Sequence, residues 1–156
     1  MKKLFHFDSP RERYHCDAAV VWCFDNRFDT GFRKFLKRLG VLNVDSIKIA
    51  GGAKALAAPD REPEREFILD QIRKSIRLHQ TERVILMVHS DCGAYGGLEA
   101  FGGDRQCESQ RLIADLARAA TFVRSQIPSL QVDAYIIDFE GVWDPGLESP
   151  AEPARA

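Results

Sequence analysis

The chain has 156 residues, 45% hydrophobic and 29% charged, a length and balance that suit one globular domain. They exclude a disordered chain, a collagen-like fibre and a coiled coil. The net charge of -1, from 22 basic and 23 acidic residues, provides no global basic field for nucleic acid or an anionic membrane.

Residues 1–17 are polar and irregular, with Pro10 and the run Arg11-Glu12-Arg13, and read as an N-terminal arm. Ala18-Ala19-Val20-Val21-Trp22 is a continuous apolar run, expected as a strand buried on both faces. It stops at Cys23-Phe24-Asp25-Asn26-Arg27. Asp29 or Thr30 is expected to cap a helix in which Phe32, Phe35, Leu36 and Leu39 share one face. Gly40 suits its C-terminal stop.

Residues 44–49 read as a second strand, broken by Gly51-Gly52, and residues 53–64 as a loop. Asp60 is expected to cap the next helix, with Glu62 and Glu64 near its positive end. Ile68, Leu69, Ile72 and Ile76 give that helix an apolar face to about His79. Residues 83–88 are a third apolar strand, ending at His89-Ser90-Asp91-Cys92-Gly93.

Gly96-Gly97 and Gly102-Gly103 punctuate a flexible stretch. A long helix is predicted over about 108–126, with Leu112, Ile113, Leu116, Ala120 and Val123 on one side and Pro128 after it. Residues 132–139 are the fourth strand. The tail, 146–156, reads as disordered. Residues 18–145 are thus expected to form a single α/β domain.

Alternating strands and helices imply an α/β fold with a mostly parallel central sheet and right-handed crossovers. Ligands of such sheets bind beyond the carboxyl ends of the strands, where strand order reverses. If the order is 2-1-3-4, strands one and three are neighbours, and Cys23, His89 and Cys92 would meet in one crevice. The start of the chain has two lysines with no apolar stretch behind them, and no apolar run approaches the ~20 residues of a membrane span. A cytoplasmic protein with reduced cysteines is expected.

Thiolate and imidazole donors suit tetrahedral zinc, and three protein ligands leave one position open. His89 and Cys92, across one turn, can share an ion, with Cys23 as the third ligand. Asp25 then either binds zinc itself and closes the site, or accepts a hydrogen bond from zinc-bound water and orients it. Arg27 can hold Asp25 bidentately and favour the second role. Taken singly these residues have plainer readings: a buried apolar cysteine, a surface ion pair. Cys16 and Cys107 read as bystanders. His6, His15 and His79 read as surface or helix-end residues, and Asp91 as a helix cap, with a catalytic role as its other reading. Gly51-Gly52 is either a simple turn or a close backbone approach to the crevice.

Cys23-Phe24-Asp25-Asn26-Arg27 together with His89-Ser90-Asp91-Cys92-Gly93 resembles the CxDxR and HxxCG signature of β-class carbonic anhydrases. Ala50-Gly51-Gly52 resembles the turn between those motifs, and Tyr135-Ile136-Ile137-Asp138 the last core strand. The resemblance covers about residues 18–140. It implies Cys23, His89 and Cys92 as Zn2+ ligands and Asp25 with Arg27 as the catalytic pair. It implies a five-stranded sheet, four parallel strands in the order 2-1-3-4 plus an edge strand, in a homodimer or larger assembly.

The reaction implied is reversible hydration of carbon dioxide to bicarbonate by zinc-bound hydroxide. Gly51, Gly52, Phe24, Phe28, Tyr95 and Leu98 are pocket candidates by proximity to the motifs. Two alternatives stay open. One is hydrolysis of another heterocumulene, such as carbon disulfide or carbonyl sulfide; the other is a non-catalytic zinc-binding module.

Overall fold

The computed structural model describes residues 1–147. Residues 148–156, most of the expected tail, lie outside the described residues. The chain runs β1 (Ala18–Cys23), α1 (Asp29–Arg38), β2 (Val44–Ile49), α2 (Lys54–Ala57), α3 (Glu62–His79), β3 (Arg83–His89), α4 (Arg105–Gln126), β4 (Gln131–Ile137) and β5 (Val142–Trp143). The sheet has the order β2-β1-β3-β4-β5. Its first four strands are parallel, and β5 is antiparallel to β4. This is the α/β fold expected from the alternating elements, with the strand order that the resemblance implied.

β1 and β3 are buried almost throughout because helices cover both faces of the sheet. Their side chains alternate between two cores. Ala19, Val21, Val84, Leu86 and Val88 face α2, α3 and α4 through Leu56, Ile68, Ile72, Leu112 and Leu116. Ala18, Val20, Trp22, Ile85 and Met87 face α1 through Phe32 and Leu36, with Phe28 beside them. Trp22 stacks on Phe32 with ring centroids 4.7 Å apart. The crossover from β1 to β2 thus uses one face and the crossovers to β3 and β4 the other. Right-handed connections produce this division when the chain leaves β1 in both directions.

The ends of several elements differ from expectation. Neither Asp29 nor Thr30 caps α1, because a 3₁₀ turn, Asn26–Phe28, runs straight into the helix. Asp25 caps that turn instead, accepting from Arg27 N, while Asp29 lies in the first turn of α1 and binds Arg33 and Lys48. The expected loop over 53–64 contains α2. Its Ala- and Leu-rich sequence favours helix, and Ala53 and Leu56 are fully buried in the core under α4. Asp60 does not cap α3. Arg61 is its extended N-cap residue, Pro63 sits in the first turn, and Asp60 pairs with Lys54 at 3.1 Å.

α4 starts at Arg105, three residues early, because Asp104 accepts from the N–H groups of Gln106 and Cys107. The glycine-punctuated stretch is folded into two 3₁₀ turns, Gly93–Tyr95 and Leu98–Phe101. β4 ends at Ile137, where Asp138 turns the chain back into β5. Among the described residues no helix is long and apolar enough to cross a membrane.

Candidate metal centre

The strand order brings three donors together. β1 ends at Cys23 and its neighbour β3 at His89, and the turn after β3 carries Cys92. One ligand atom from each of the three lies within 4.8 Å of the others. Cys92 is fixed by the next turn, where its carbonyl accepts from the N–H groups of Tyr95 and Gly97. All three residues are buried, at 3%, 1% and 2% exposure in chain order.

The imidazole of His89 is oriented from behind. Its Nδ1 faces the Ser90 carbonyl at 2.8 Å, and a carbonyl only accepts, so Nδ1 carries the proton. Nε2 is then left with a lone pair, and it is buried with no hydrogen-bond partner. Phe28 packs beside the ring at 4.8 Å between centroids, and Trp22 at 5.9 Å. A buried polar atom without a partner calls for an explanation. Here a cation supplies one.

The thiols point to the same need. A hydrogen bond from Cys92 pulls the Cys23 thiol well below the usual thiol range against the effect of burial. The Cys92 thiol is pushed up correspondingly, chiefly because it shares that bond and is itself buried. Negative charge is thus collected at one of the two sulfurs. Two sulfurs and one imidazole nitrogen, with room for a fourth ligand, are the donor chemistry of an open zinc site. The residues fit the ion.

The Ala50-Gly51-Gly52 turn combines both readings of its glycines. Gly51 and Gly52 have φ of 75° and 56°, in the left-handed region. A Cβ at Gly52 would lie 2.4 Å from the Met87 carbonyl oxygen and 3.0 Å from Cys23 N. The backbone therefore wedges between the ends of β1 and β3, and only glycine fits. Ala53 N donates to Met87 O, anchoring the wedge.

Asp25 and Arg27 form a bidentate pair. Arg27 Nη2 donates to Asp25 Oδ2 at 2.7 Å and Nε lies 3.1 Å from both carboxylate oxygens. This contact holds the Asp25 carboxyl below its usual range, at about 2, so it is ionised at any working pH. Its Oδ2 lies 3.9 Å from His89 Nε2. The guanidinium is flanked by the rings of Phe28 and Phe139, at 5.6 and 5.5 Å.

The remaining sequence candidates divide. Phe28 is buried against His89, whereas Phe24 is 63% exposed. Tyr95 packs on the core facing α2–α4, with its hydroxyl buried and unpartnered and Lys54 Nζ 5.8 Å above its ring. Leu98 donates its N–H to Asp91 Oδ1. Cys16 is buried near the start of β1 and Cys107 exposed in α4, both apart from the donor set.

Two residues support the site in ways the sequence reading did not place. Asp91 was expected to cap a helix, but its Oδ2 and its carbonyl oxygen both accept from Arg27, each at 2.9 Å. Glu108, expected only as the start of α4, is 3% exposed and accepts the Asp91 N–H at 2.6 Å. Its signal was present in the sequence: Glu108 stands four residues before Leu112, a charge at an apolar phase of the helix.

Comparison with known proteins agrees with this architecture. A family model described as "Putative carbonic anhydrase" matches residues 14–144. An uncharacterized protein of Rickettsia conorii is 26% identical over 138 residues, covering 86% of this chain and 74% of its own. The β-carbonic anhydrase of Trichomonas vaginalis superposes with a TM-score of 0.59 at 15% identity, covering 90% of this chain and 87% of that one. That of Aspergillus fumigatus gives 0.58 at 14% identity, covering 88% and 78%. Such structural likeness at low identity establishes the shared fold, and the matched family model spans most of the sequence. The chain belongs to the family described as putative carbonic anhydrases, and it has the fold of the β-carbonic anhydrases.

Proposed function

We propose that the protein is a zinc-dependent carbonic anhydrase that reversibly hydrates carbon dioxide to bicarbonate. The observation that carries this reading is the buried, unpartnered Nε2 of His89, converging with two cysteine sulfurs beside an arginine-held carboxylate. Cys23, His89 and Cys92 would hold the metal. When bound, zinc supplies a Lewis acid that makes water nucleophilic near neutral pH.

The other parts of the chemistry fall to the chain. Asp25, ionised and 3.9 Å from Nε2, accepts a hydrogen bond from the attacking water and aligns its lone pair. Arg27 holds Asp25 through both carboxylate oxygens and keeps the carboxylate ionised, in an accepting role. The Ser90 carbonyl keeps His89 in the tautomer that presents Nε2. Donors with 1–3% exposure favour a substrate as small and uncharged as carbon dioxide. Thiolate ligands suit a reducing compartment, and we assign the protein to the cytoplasm.

An assembly of two or more copies is part of the proposal. Related β-carbonic anhydrases of Sordaria macrospora are tetrameric, and Leu4, Phe5 and Phe7 in the N-terminal arm are exposed on this chain. Size-exclusion chromatography with light scattering tests it, and a monomer at working concentration rejects it.

The catalytic test is stopped-flow hydration by zinc-verified protein from neutral to mildly alkaline pH, with Asp25→Asn alongside. Hydration that rises with pH and collapses in the variant supports the reading. A flat trace from fully zinc-loaded protein rejects it and directs attention to carbon disulfide and carbonyl sulfide, then to a non-catalytic zinc module.

A further inference from the structure

Arg27 is gripped from two sides, by Asp25 in its own loop and by Asp91 in the turn after β3. Each polar group of Asp91 has a partner. Its N–H donates to Glu108, Oδ1 accepts from Leu98 N, and Oδ2 and the carbonyl oxygen accept from Arg27. Asp91 also has φ of 52°, a left-handed conformation that a residue with a side chain keeps only where its surroundings hold it.

The bond from Glu108 is the one that reaches this turn from another layer of the fold. Glu108 lies in the first turn of α4 and is buried. A buried carboxylate is costly unless it is well bonded. Removing it would leave the Asp91 N–H without an acceptor and free the turn to relax from its left-handed state. That relaxation carries both Asp91 acceptors away from Arg27.

We propose that Glu108 is a positioning residue: through Asp91 it clamps Arg27 onto Asp25, which holds the Asp25 carboxylate beside the metal position instead of on it. Asp25 Oδ2, 3.9 Å from His89 Nε2, is close enough to reach an ion bound there, and Arg27 is what restrains it. The inference rests on reading Cys23, His89 and Cys92 as a zinc site.

Two measurements test the clamp, using Glu108→Ala, Glu108→Asp and Glu108→Gln. Glutamine keeps an oxygen that accepts the Asp91 N–H. Aspartate keeps the charge but is one methylene too short. In metal-free protein, the Arg27 Nε–H signal in nuclear magnetic resonance should be protected from solvent exchange in wild type and Glu108→Gln. It should lose protection in the alanine and aspartate variants. Equal protection in all four folded proteins overturns the clamp.

In cobalt-loaded protein, thiocyanate is titrated against the visible spectrum. If the alanine and aspartate variants leave the site open in only about one-tenth of molecules, thiocyanate binds about tenfold more weakly. Adding Asp25→Asn should restore the affinity. Unchanged thiocyanate affinity, or weakened affinity that Asp25→Asn does not restore, overturns the proposed effect on Asp25. A wild-type protein whose cobalt spectrum is indifferent to Cys92→Ala rejects the metal reading instead, and the exchange measurement then decides the clamp alone.

Discussion

The two ends of the sheet both carry polar networks with buried members, and they differ in whether those networks close. At the amino end, Asp45 of β2 accepts from Tyr14 and Ser75 and faces His79 Nδ1 at 2.8 Å, while Ser75 and Thr81 bond each other. Tyr14 packs on His79 with tilted rings 4.2 Å apart, and Cys16 N donates to the His79 carbonyl. His79 ends α3, as its helix-end reading had it, and is partnered there by Asp45. None of these side chains leaves a buried atom unpaired. At the carboxyl end, His89 Nε2 is unpaired and two sulfurs face it. The lesson concerns energy: a buried polar cluster that satisfies itself fastens the fold, and one whose unpaired donors converge can hold a ligand.

That contrast can be broken most directly at Cys92. Cys92→Ala should weaken zinc binding by more than about 100-fold, the upper range for losing even a supporting partner of a metal ligand. Metal analysis after dialysis checks this, and a fully zinc-loaded variant would erase the distinction between the two ends. Next in size, Asp25→Asn should keep zinc but lower hydration about 100-fold, because the amide is a poorer acceptor for the reacting water. Steady zinc content with lost turnover separates orientation from binding.

Gly52→Ala tests whether the wedge at the carboxyl end is backbone-limited. The new Cβ meets the Met87 carbonyl oxygen at a left-handed φ, so a loss of at least about 2 kcal/mol is expected. Thermal unfolding would read it as a drop of several degrees in Tm, about 2–4 °C per kcal/mol. A stability equal to wild type would mean the turn has room that its geometry denies.

At the amino end the effects should fall on stability alone. Ser75→Ala removes a donor to Asp45 and strands the Thr81 hydroxyl, costing about 1–2 kcal/mol. Turnover per zinc of the folded variant should match wild type; a change in it would couple the two networks. The smallest signal is a titration. The hydrogen bond that Tyr14 donates to Asp45 raises its phenol to about 12. A raised pKa means that this contribution is fully present below the ordinary phenol range and is lost as pH rises through about 12. Ultraviolet titration of wild type against Tyr14→Phe checks it, and a tyrosine that ionises at its ordinary value would show that the arm is not latched.

Much of this was legible in the chain. β1 and β3 announced themselves as unbroken apolar runs because strands buried on both faces have no polar side to display. β2 was read over 44–49, the residues it occupies, and α3 was placed by its isoleucines. Gly40, at φ of 74°, ends the first helix as its position suggested. The short α2 was hidden because four residues are too few for a period. β5 has only two residues and was expected on resemblance alone.

What the sequence determined by itself was the set of local choices: which runs alternate, which residues stop them, and which donors stand at strand ends. The order 2-1-3-4 then carries Cys23 to His89 and Cys92. What the tertiary structure decided was the support around those donors. Arg27 and Asp91 are 64 residues apart in sequence, Asp91 and Glu108 are 17 apart, and Asp45 and His79 are 34 apart. A hydrogen bond needs its partners within about 3 Å and in line. Periodicity and turn chemistry place an element, but only packing one layer on another sets which side chains meet at that distance.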